Sequence, residues 1–201
     1  AVRRHHAMIA VLSGVSCFLT LCTIPWAAPS VPRPVTLLLM VDRFALFGMS
    51  LLLLATLVVV VLSYRYLSVH CADQEQFEEF YVLLLVATFG GLVMTASAHF
   101  ASFFLGLELI NVSLHSLTGY LRTRRGPLEA ALKYLLLSAA SSAFLLFGVA
   151  LLYFQAGTMA FGEFGATATA QPSTPILWLG GLTLILVAIG FKLGLVPFHL
   201  W

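Results

Sequence analysis

The chain has 201 residues, of which 61% are hydrophobic and only 9% are charged, and its formal net charge is +2. Soluble domains carry about 25% charged residues, so this composition excludes a water-soluble globular domain and predicts an integral membrane protein. The small net charge gives no reason to expect nucleic-acid binding. The three cysteines, Cys17, Cys22 and Cys71, are scattered and match neither a disulfide framework nor a metal-binding pattern.

Apolar stretches along the chain are long enough to cross a bilayer of about 30 Å as helices with a rise of about 1.5 Å per residue. We predict an all-α bundle of about six transmembrane helices, forming a single domain over residues 1–201. Because the chain begins at Ala1 without Met and stops at Trp201 within an apolar segment, we expect it to be truncated at both ends. The predicted spans are approximately 7–26, 44–63, 80–97, 100–121, 128–154 and 176–201.

The first span follows Arg3 and Arg4, so a signal peptide is an alternative to a membrane helix there, although the length of the apolar run favours the helix. The linker at 27–41 contains three prolines and predicts an extended loop. Gly90 and Gly91 in the third span predict a close approach between helices.

Small residues fill the segment SAASSA at 138–143, which predicts a tightly packed face on the fifth span. In the last span, Gly190, Gly194 and Pro197 lie close to Lys192. Glycine and proline around a charge inside a span are typical of a helix that is interrupted within the membrane. We therefore predict a break of the sixth helix near Lys192.

Basic residues in the loops predict the orientation of the chain, because cytoplasmic loops are enriched in lysine and arginine. One side of the membrane carries only Arg33 and Arg43 between the predicted spans. The other side holds the N-terminus and six arginines, so we predict that side to be cytoplasmic. The six are Arg3, Arg4, Arg65, Arg122, Arg124 and Arg125.

Glu108 lies near the middle of the fourth span, where a charged side chain costs about 3 kcal/mol on insertion scales. It therefore needs a partner, water or a proton. Lys133 in the fifth span and Lys192 in the sixth are the two candidate partners, and the sequence leaves open which is the main one. Because a lysine can release its proton and an arginine cannot, we predict that these three residues transfer protons.

Structural alternatives exist for the same residues. Lys133 follows Glu129 by four residues, which suits a lysine that extends to the membrane rim and is neutralised by that carboxylate. Glu129 is also a possible relay residue. His115, seven residues after Glu108, and His199, within two turns of Lys192, are further possible relays because histidine titrates near neutral pH. The alternative for both histidines is a packed polar side chain.

Two segments carry a resemblance to a known family. It extends over FLGLELINVSLHSLTGYLRTRRGPLEAALKYLLLSAASSAFLLFGVALLY and, further on, GFKLGLVPFHLW. In this order, the two segments resemble the antiporter-like proton-channel subunits of bacterial NADH–quinone oxidoreductase (respiratory complex I), and in particular the subunit N family. The resemblance covers about residues 40–201 well and the first span more loosely.

The resemblance implies an inverted-repeat fold of about fourteen helices, of which this chain corresponds to the second through the first part of the seventh. It implies that Glu108 is the glutamate of the fifth helix in that fold. It further implies that Lys133 is the lysine of the sixth helix and that Lys192 is the lysine of the broken seventh helix.

The function implied is proton translocation by a non-redox subunit of a translocase, located in the bacterial inner membrane. No cofactor is expected in this chain, since NADH, flavin, iron–sulfur clusters and quinone would be bound by partner subunits. The expected partners are the other membrane subunits of complex I, the lipid bilayer and protons. The alternatives are an antiporter-like subunit of a multisubunit sodium/proton exchanger or membrane-bound hydrogenase, and a passive membrane scaffold.

Overall fold

The computed structural model describes residues 6–70, 77–121, 125–164 and 175–196. Within these ranges lie six long helices, each of which has the length and apolar composition needed to cross a membrane. Within a helix the backbone N–H and C=O groups form hydrogen bonds with one another, which is necessary in a membrane because lipid offers them no partners. The predicted all-α membrane bundle is confirmed. The helices are α1 His6–Ala27, α2 Arg43–His70, α3 Glu78–Thr95, α4 Phe100–Thr118, α5 Arg125–Ala156 and α6 Pro175–Lys192.

Several helix ends differ from the predicted ones. Helix α2 continues to His70 rather than ending at 63, because no glycine or proline follows to stop it. Helix α4 ends at Thr118 because Gly119 closes its last turn, with the Gly119 amide donating to the carbonyl of His115 at 3.1 Å. The sixth span, predicted to run to 201, ends much earlier as a helix, and residues 197–201 lie outside the described part.

Helix α6 ends in a glycine cap at Lys192. The amide of Leu195 donates to the carbonyl of Gly190, and the amide of Gly194 donates to the carbonyl of Phe191, at 2.9 and 3.0 Å. This pair of bonds defines a Schellman turn, and the φ of 62° at Gly194 is the left-handed conformation that the turn requires. The helix therefore stops where the break was predicted, with Lys192 in its last turn.

Glycines set the spacing between α3 and α4. A Cβ atom on Gly90 would lie 2.7 Å from the carbonyl oxygen of Gly106, and one on Gly106 would lie 2.7 Å from that of Gly90. Gly91 packs instead against Leu52 of α2. The close approach predicted from these glycines is confirmed, and it brings α4 to a fixed position beside α3.

Helices α5 and α6 meet in the same way. A Cβ atom on Gly148 would lie 2.8 Å from the carbonyl oxygen of Gly181 and 2.8 Å from the side chain of Ile185. About two turns away along this contact, the hydroxyl of Ser141 donates to the carbonyl of Ala188 at 3.1 Å. These contacts hold α5 and α6 together at short range.

The connections at one end of the bundle are joined by backbone hydrogen bonds. The linker after α1 contains a 3-10 turn, Ala28–Ser30, and a two-residue antiparallel ladder between Arg33–Pro34 and Met40–Val41. The amide of Met40 donates to the carbonyl of Ala96 at 2.8 Å, which ties this linker to the α3–α4 connection. Apart from that short turn and ladder, the linker is the extended loop that its prolines predicted.

Candidate functional site

An apolar contact brings three helices together at one level of the bundle. Leu107 of α4, Leu145 of α5 and Ala188 of α6 form a buried cluster. Each lies one helical turn from a polar residue, since Leu107 precedes Asn111 by four residues, Leu145 follows Ser142 by three and Ala188 precedes Lys192 by four. Packing of the apolar residues therefore turns these polar residues toward one another.

Glu108 is half-buried and accepts two hydrogen bonds at the same carboxylate oxygen. The hydroxyl of Ser142 on α5 donates to Oε1 at 2.5 Å. The side-chain amide of Asn111, one turn further along α4, donates to Oε1 at 3.0 Å. The carboxylate therefore has polar partners in place of the water that the membrane interior lacks.

Lys192 is held by two acceptors from the other two helices. Its Nζ donates to Oδ1 of Asn111 and to Oγ of Ser138, both at 2.9 Å. Glu108 and Lys192 are both among the described residues, and they form no direct ion pair with each other. Asn111 forms hydrogen bonds to both of them. We call these five residues, Glu108, Asn111, Ser138, Ser142 and Lys192, the Glu108–Lys192 cluster.

The uncharged members of the cluster are buried. Asn111 is 5% exposed, Ser138 3% and Ser142 7%. The hydroxyl of Tyr134 also points at Oδ1 of Asn111, at a longer distance of 3.5 Å. Buried polar groups are stable only when their hydrogen bonds are satisfied. Here Ser142 binds Glu108, Ser138 binds Lys192 and Asn111 binds both.

Lys133 lies outside this cluster and does not contact Glu108. Its Nζ forms an ion pair with Oε1 of Glu129 at 2.6 Å, and the two side chains are 63% and 68% exposed. Tyr134, Ser138 and Ser142 follow one another at intervals of four along the inner face of α5. Since Lys133 precedes Tyr134 by one residue, it is turned about 100° away from that face. The contact predicted from the spacing of Glu129 and Lys133 is present.

The two predicted histidine relays have different outcomes. His115 is half-buried in the last turn of α4, one turn beyond Asn111, and no described side-chain hydrogen bond joins it to the cluster. His199 lies outside the described residues.

Sequence reasoning did not single out Asn111, Ser138 or Ser142. Their signal was spacing: Asn111 follows Glu108 by three residues, and the two serines are four apart on α5. The segment 138–143 was instead predicted to be a packing face. Its serines are buried, whereas its alanines are exposed, so the inner face of α5 here is polar as well as small.

The chemistry open to the cluster is proton binding and release. It contains one acid, one base, and amide and hydroxyl groups that both donate and accept hydrogen bonds. Across the described residues, no group of three or more His, Cys, Asp or Glu side chains is placed to hold a metal ion.

Six apolar helices and a buried acid–base cluster define a multi-pass membrane protein with ionisable groups inside its helix bundle. Residues 97–201, just over half of the chain, match the family model described as NADH:quinone oxidoreductase/Mrp antiporter, transmembrane. The chain belongs to this family, and the predicted resemblance is confirmed.

Individual relatives agree with this assignment. NADH-quinone oxidoreductase subunit N of Ectopseudomonas mendocina (strain ymp) is 43% identical over 203 residues, which cover 100% of this chain and 41% of the relative. A chain in the structure of respiratory complex I from Thermus thermophilus with bound aureothin is 30% identical, with a TM-score of 0.79 over 98% of this chain and 41% of that one. The chain therefore spans about two fifths of the length of these relatives.

More distant structures share the fold alone. A chain of the archaeal membrane-bound sulfane sulfur reductase is 21% identical, with a TM-score of 0.80 over 98% of this chain and 44% of that chain. A chain of the Mrp complex from Dietzia sp. DQ12-45-1b is 20% identical, with a TM-score of 0.66 over 96% of this chain and 36% of that chain. The helix arrangement is thus common to several multisubunit membrane complexes.

Proposed function

We propose that this chain is part of a proton-translocating membrane subunit of NADH–quinone oxidoreductase and that the Glu108–Lys192 cluster carries its protons. The main support is the pairing of a half-buried carboxylate with a half-buried amine through a buried amide of α4 and two buried hydroxyls of α5. Ionisable groups inside membrane spans are costly and are therefore typical of ion pathways. The 43% identity to a subunit N supports the choice of complex.

In this mechanism Glu108 favours the protonated form of Lys192 by electrostatic attraction. Unit charges about 6 Å apart attract by about 3 kcal/mol at an effective dielectric constant near 20, and about 1.4 kcal/mol corresponds to a tenfold change in proton binding. Electron transfer in partner subunits alters the separation of the two groups. As the attraction weakens, Lys192 releases its proton toward the rest of the longer protein.

The remaining predicted residues have supporting roles in this proposal. Lys133 and Glu129 exchange protons with water at the start of α5, where both side chains are exposed. His115 and His199 are proposed as relays between the cluster and its surroundings, because a histidine ring both accepts and donates protons. The effects of removing these four residues are expected to be smaller than those of removing Glu108 or Lys192.

The setting of this activity is also proposed. The chain acts without a redox centre of its own, and partner subunits of the complex bind NADH, flavin, iron–sulfur clusters and quinone. The membrane is the bacterial inner membrane. The distribution of arginines supports a cytoplasmic location for the N-terminal end of this chain.

The test is Glu108→Gln in the longer protein within the assembled complex, with Glu163→Gln as the matched control. Glu163 is an exposed carboxylate that accepts a hydrogen bond from Thr158, which glutamine also accepts. We expect Glu108→Gln to lower the number of protons translocated per NADH oxidised by at least about tenfold, while the control retains the wild-type ratio. Proton uptake into inverted membrane vesicles and NADH oxidation are measured together.

Two results would contradict the proposal. If Glu108→Gln reduces the amount of assembled complex but leaves the proton-to-NADH ratio unchanged, the charges serve only as a scaffold. The fold shared with the Mrp complex makes a sodium/proton exchanger the second candidate. Sodium-dependent transport without NADH oxidation in membranes that contain the longer protein would favour that candidate.

A further inference from the structure

Asn111 occupies the position between the two charges of the cluster. Its Nδ2 donates to Glu108 at 3.0 Å, and its Oδ1 accepts from Lys192 at 2.9 Å. The residue is only 5% exposed, so water does not compete freely for either bond. The same small side chain therefore binds the acid with its donor end and the base with its acceptor end.

A carboxamide differs from every ionisable group that could stand in this place. Its amino end is a donor and its carbonyl end an acceptor, and neither end changes its protonation state in the physiological range. The amide dipole stabilises a negative charge at one end and a positive charge at the other. Because the amide does not take up a proton, it cannot pass one from Lys192 to Glu108 and so does not allow the two groups to neutralise each other.

Helix α5 supports the same separation. Ser142 donates to Glu108, whereas Ser138, one turn earlier, accepts from Lys192. Side chains four residues apart on a helix lie about 6 Å from each other at their Cβ atoms. Two helices thus hold the acid and the base apart. Helix α4 does so through the amide of Asn111, and α5 does so through the hydroxyls of Ser138 and Ser142.

We propose that Asn111 is a positioning residue that holds Glu108 and Lys192 as a spaced pair of opposite charges and prevents a contact ion pair. This inference rests on the proposed proton translocation and goes beyond it. A contact pair attracts more strongly, because the Coulomb energy falls with distance, and it would hold the lysine proton too firmly for release. The spaced pair stays charged and separable.

Among the described residues, the titratable groups around Asn111 come from three helices. Glu108 and His115 lie one turn to either side of it on α4, Tyr134 faces it from α5 and Lys192 from α6. Helix α3 packs against α4 in this part of the bundle through Gly90 and other non-titrating residues. A change of charge at position 111 therefore acts mainly on Glu108 and Lys192.

The experiment compares three variants of the longer protein in the assembled complex. Asn111→Leu keeps the approximate volume and removes both hydrogen bonds. Asn111→Gln keeps the amide. Asn111→Asp keeps the shape and places a carboxylate in direct contact with Lys192. The proton-to-NADH ratio of inverted vesicles is measured across a pH series, together with the amount of assembled complex, and Glu108→Gln is measured alongside.

We expect Asn111→Leu to lower the ratio by about tenfold and Asn111→Gln to restore most of it. In Asn111→Asp the two neighbouring carboxylates share one proton, and the remaining negative charge contacts Lys192 directly and favours the charged lysine, so the pH optimum of the ratio should move to higher pH by about one unit. An unshifted optimum in Asn111→Asp, or a wild-type ratio in Asn111→Leu, overturns the inference. A merely structural role would change only the amount of assembled complex.

The two proposals fail in different ways. If Glu108→Gln itself pumps normally, proton translocation through the cluster is wrong. If Glu108→Gln loses pumping while the leucine and aspartate variants behave as wild type, only the role of Asn111 is wrong. If the leucine variant does not assemble, the pH optimum of Asn111→Asp still decides the question.

Discussion

The chain contains two arrangements of one glutamate and one lysine, and they differ in almost every physical respect. Glu129 and Lys133 lie one turn apart on α5, touch directly at 2.6 Å and are mostly exposed. Glu108 and Lys192 lie on different helices, are half-buried and meet through Asn111 and two serines. The glutamate and lysine in direct contact are therefore the exposed ones, whereas the half-buried glutamate and lysine are joined only through other side chains.

The difference follows from the surroundings of each pair. Exposed ion pairs contribute little to stability, because water screens the charges and the long side chains lose freedom when they pair. Inside a span the loss of hydration is costly, and charges persist only when hydrogen bonds replace the water. The Glu108–Lys192 cluster meets this requirement with groups from three helices, which makes it sensitive to how those helices pack.

The largest expected effect is a contrast between the two lysines. Lys192→Met removes the base from the cluster and takes away the ammonium donor that Asn111 and Ser138 share. We expect the proton-to-NADH ratio of the assembled complex to fall by at least about tenfold. Lys133→Met is the matched control, since it removes the same group from an exposed site that contacts Glu129, and its loss should be clearly smaller. Equal losses in the two variants would show that the half-buried position of Lys192 does not give it a larger role in proton translocation than Lys133.

A smaller effect is expected from separating α5 and α6 without touching a polar group. Gly148→Val places atoms where the carbonyl of Gly181 and the side chain of Ile185 already lie. Such overpacking costs about 1–3 kcal/mol and should move Ser138 away from Lys192. The thermal midpoint of the purified complex and its proton-to-NADH ratio should both fall.

Gly180→Ala on α6 is the control for this variant, because a Cβ atom there meets nothing within 4 Å. It should keep the wild-type midpoint or raise it slightly, since alanine favours helix more than glycine does. If Gly148→Val keeps both the wild-type midpoint and the wild-type ratio, the geometry of the cluster does not depend on this contact.

The smallest effect is expected at the exposed pair. Glu129→Gln removes one charge from an exposed contact in the first turns of α5, so the thermal midpoint should show no measurable shift at low or high salt. The proton-to-NADH ratio should fall by less than about twofold, because water can replace an exposed group in proton exchange. A loss comparable to that of Glu108→Gln would instead place the main proton path at the start of α5.

Much of the fold was predictable from local patterns. Apolar runs of membrane-spanning length indicated the helices, the glycines near 90 indicated the close contact of α3 with α4, and Gly194 indicated where α6 ends. Each of these signals lies within a few residues of the feature that it predicts, because helix formation, capping and small-residue spacing depend on neighbouring positions. Helix ends such as His70 were less well predicted, since no stop signal marks them.

Charge and spacing in the chain also identified Glu108 and Lys192 as unusual, and paired Glu129 with Lys133 correctly through their four-residue interval. The choice of partner for Glu108 did not follow from the chain order. It depends on which faces of α4, α5 and α6 meet, and that is set by the packing of Leu107, Leu145 and Ala188 and by the approach of Gly148 to Gly181. Asn111, Ser138 and Ser142 acquire their role only through these contacts, because a hydrogen bond between helices requires distances that no single helix specifies.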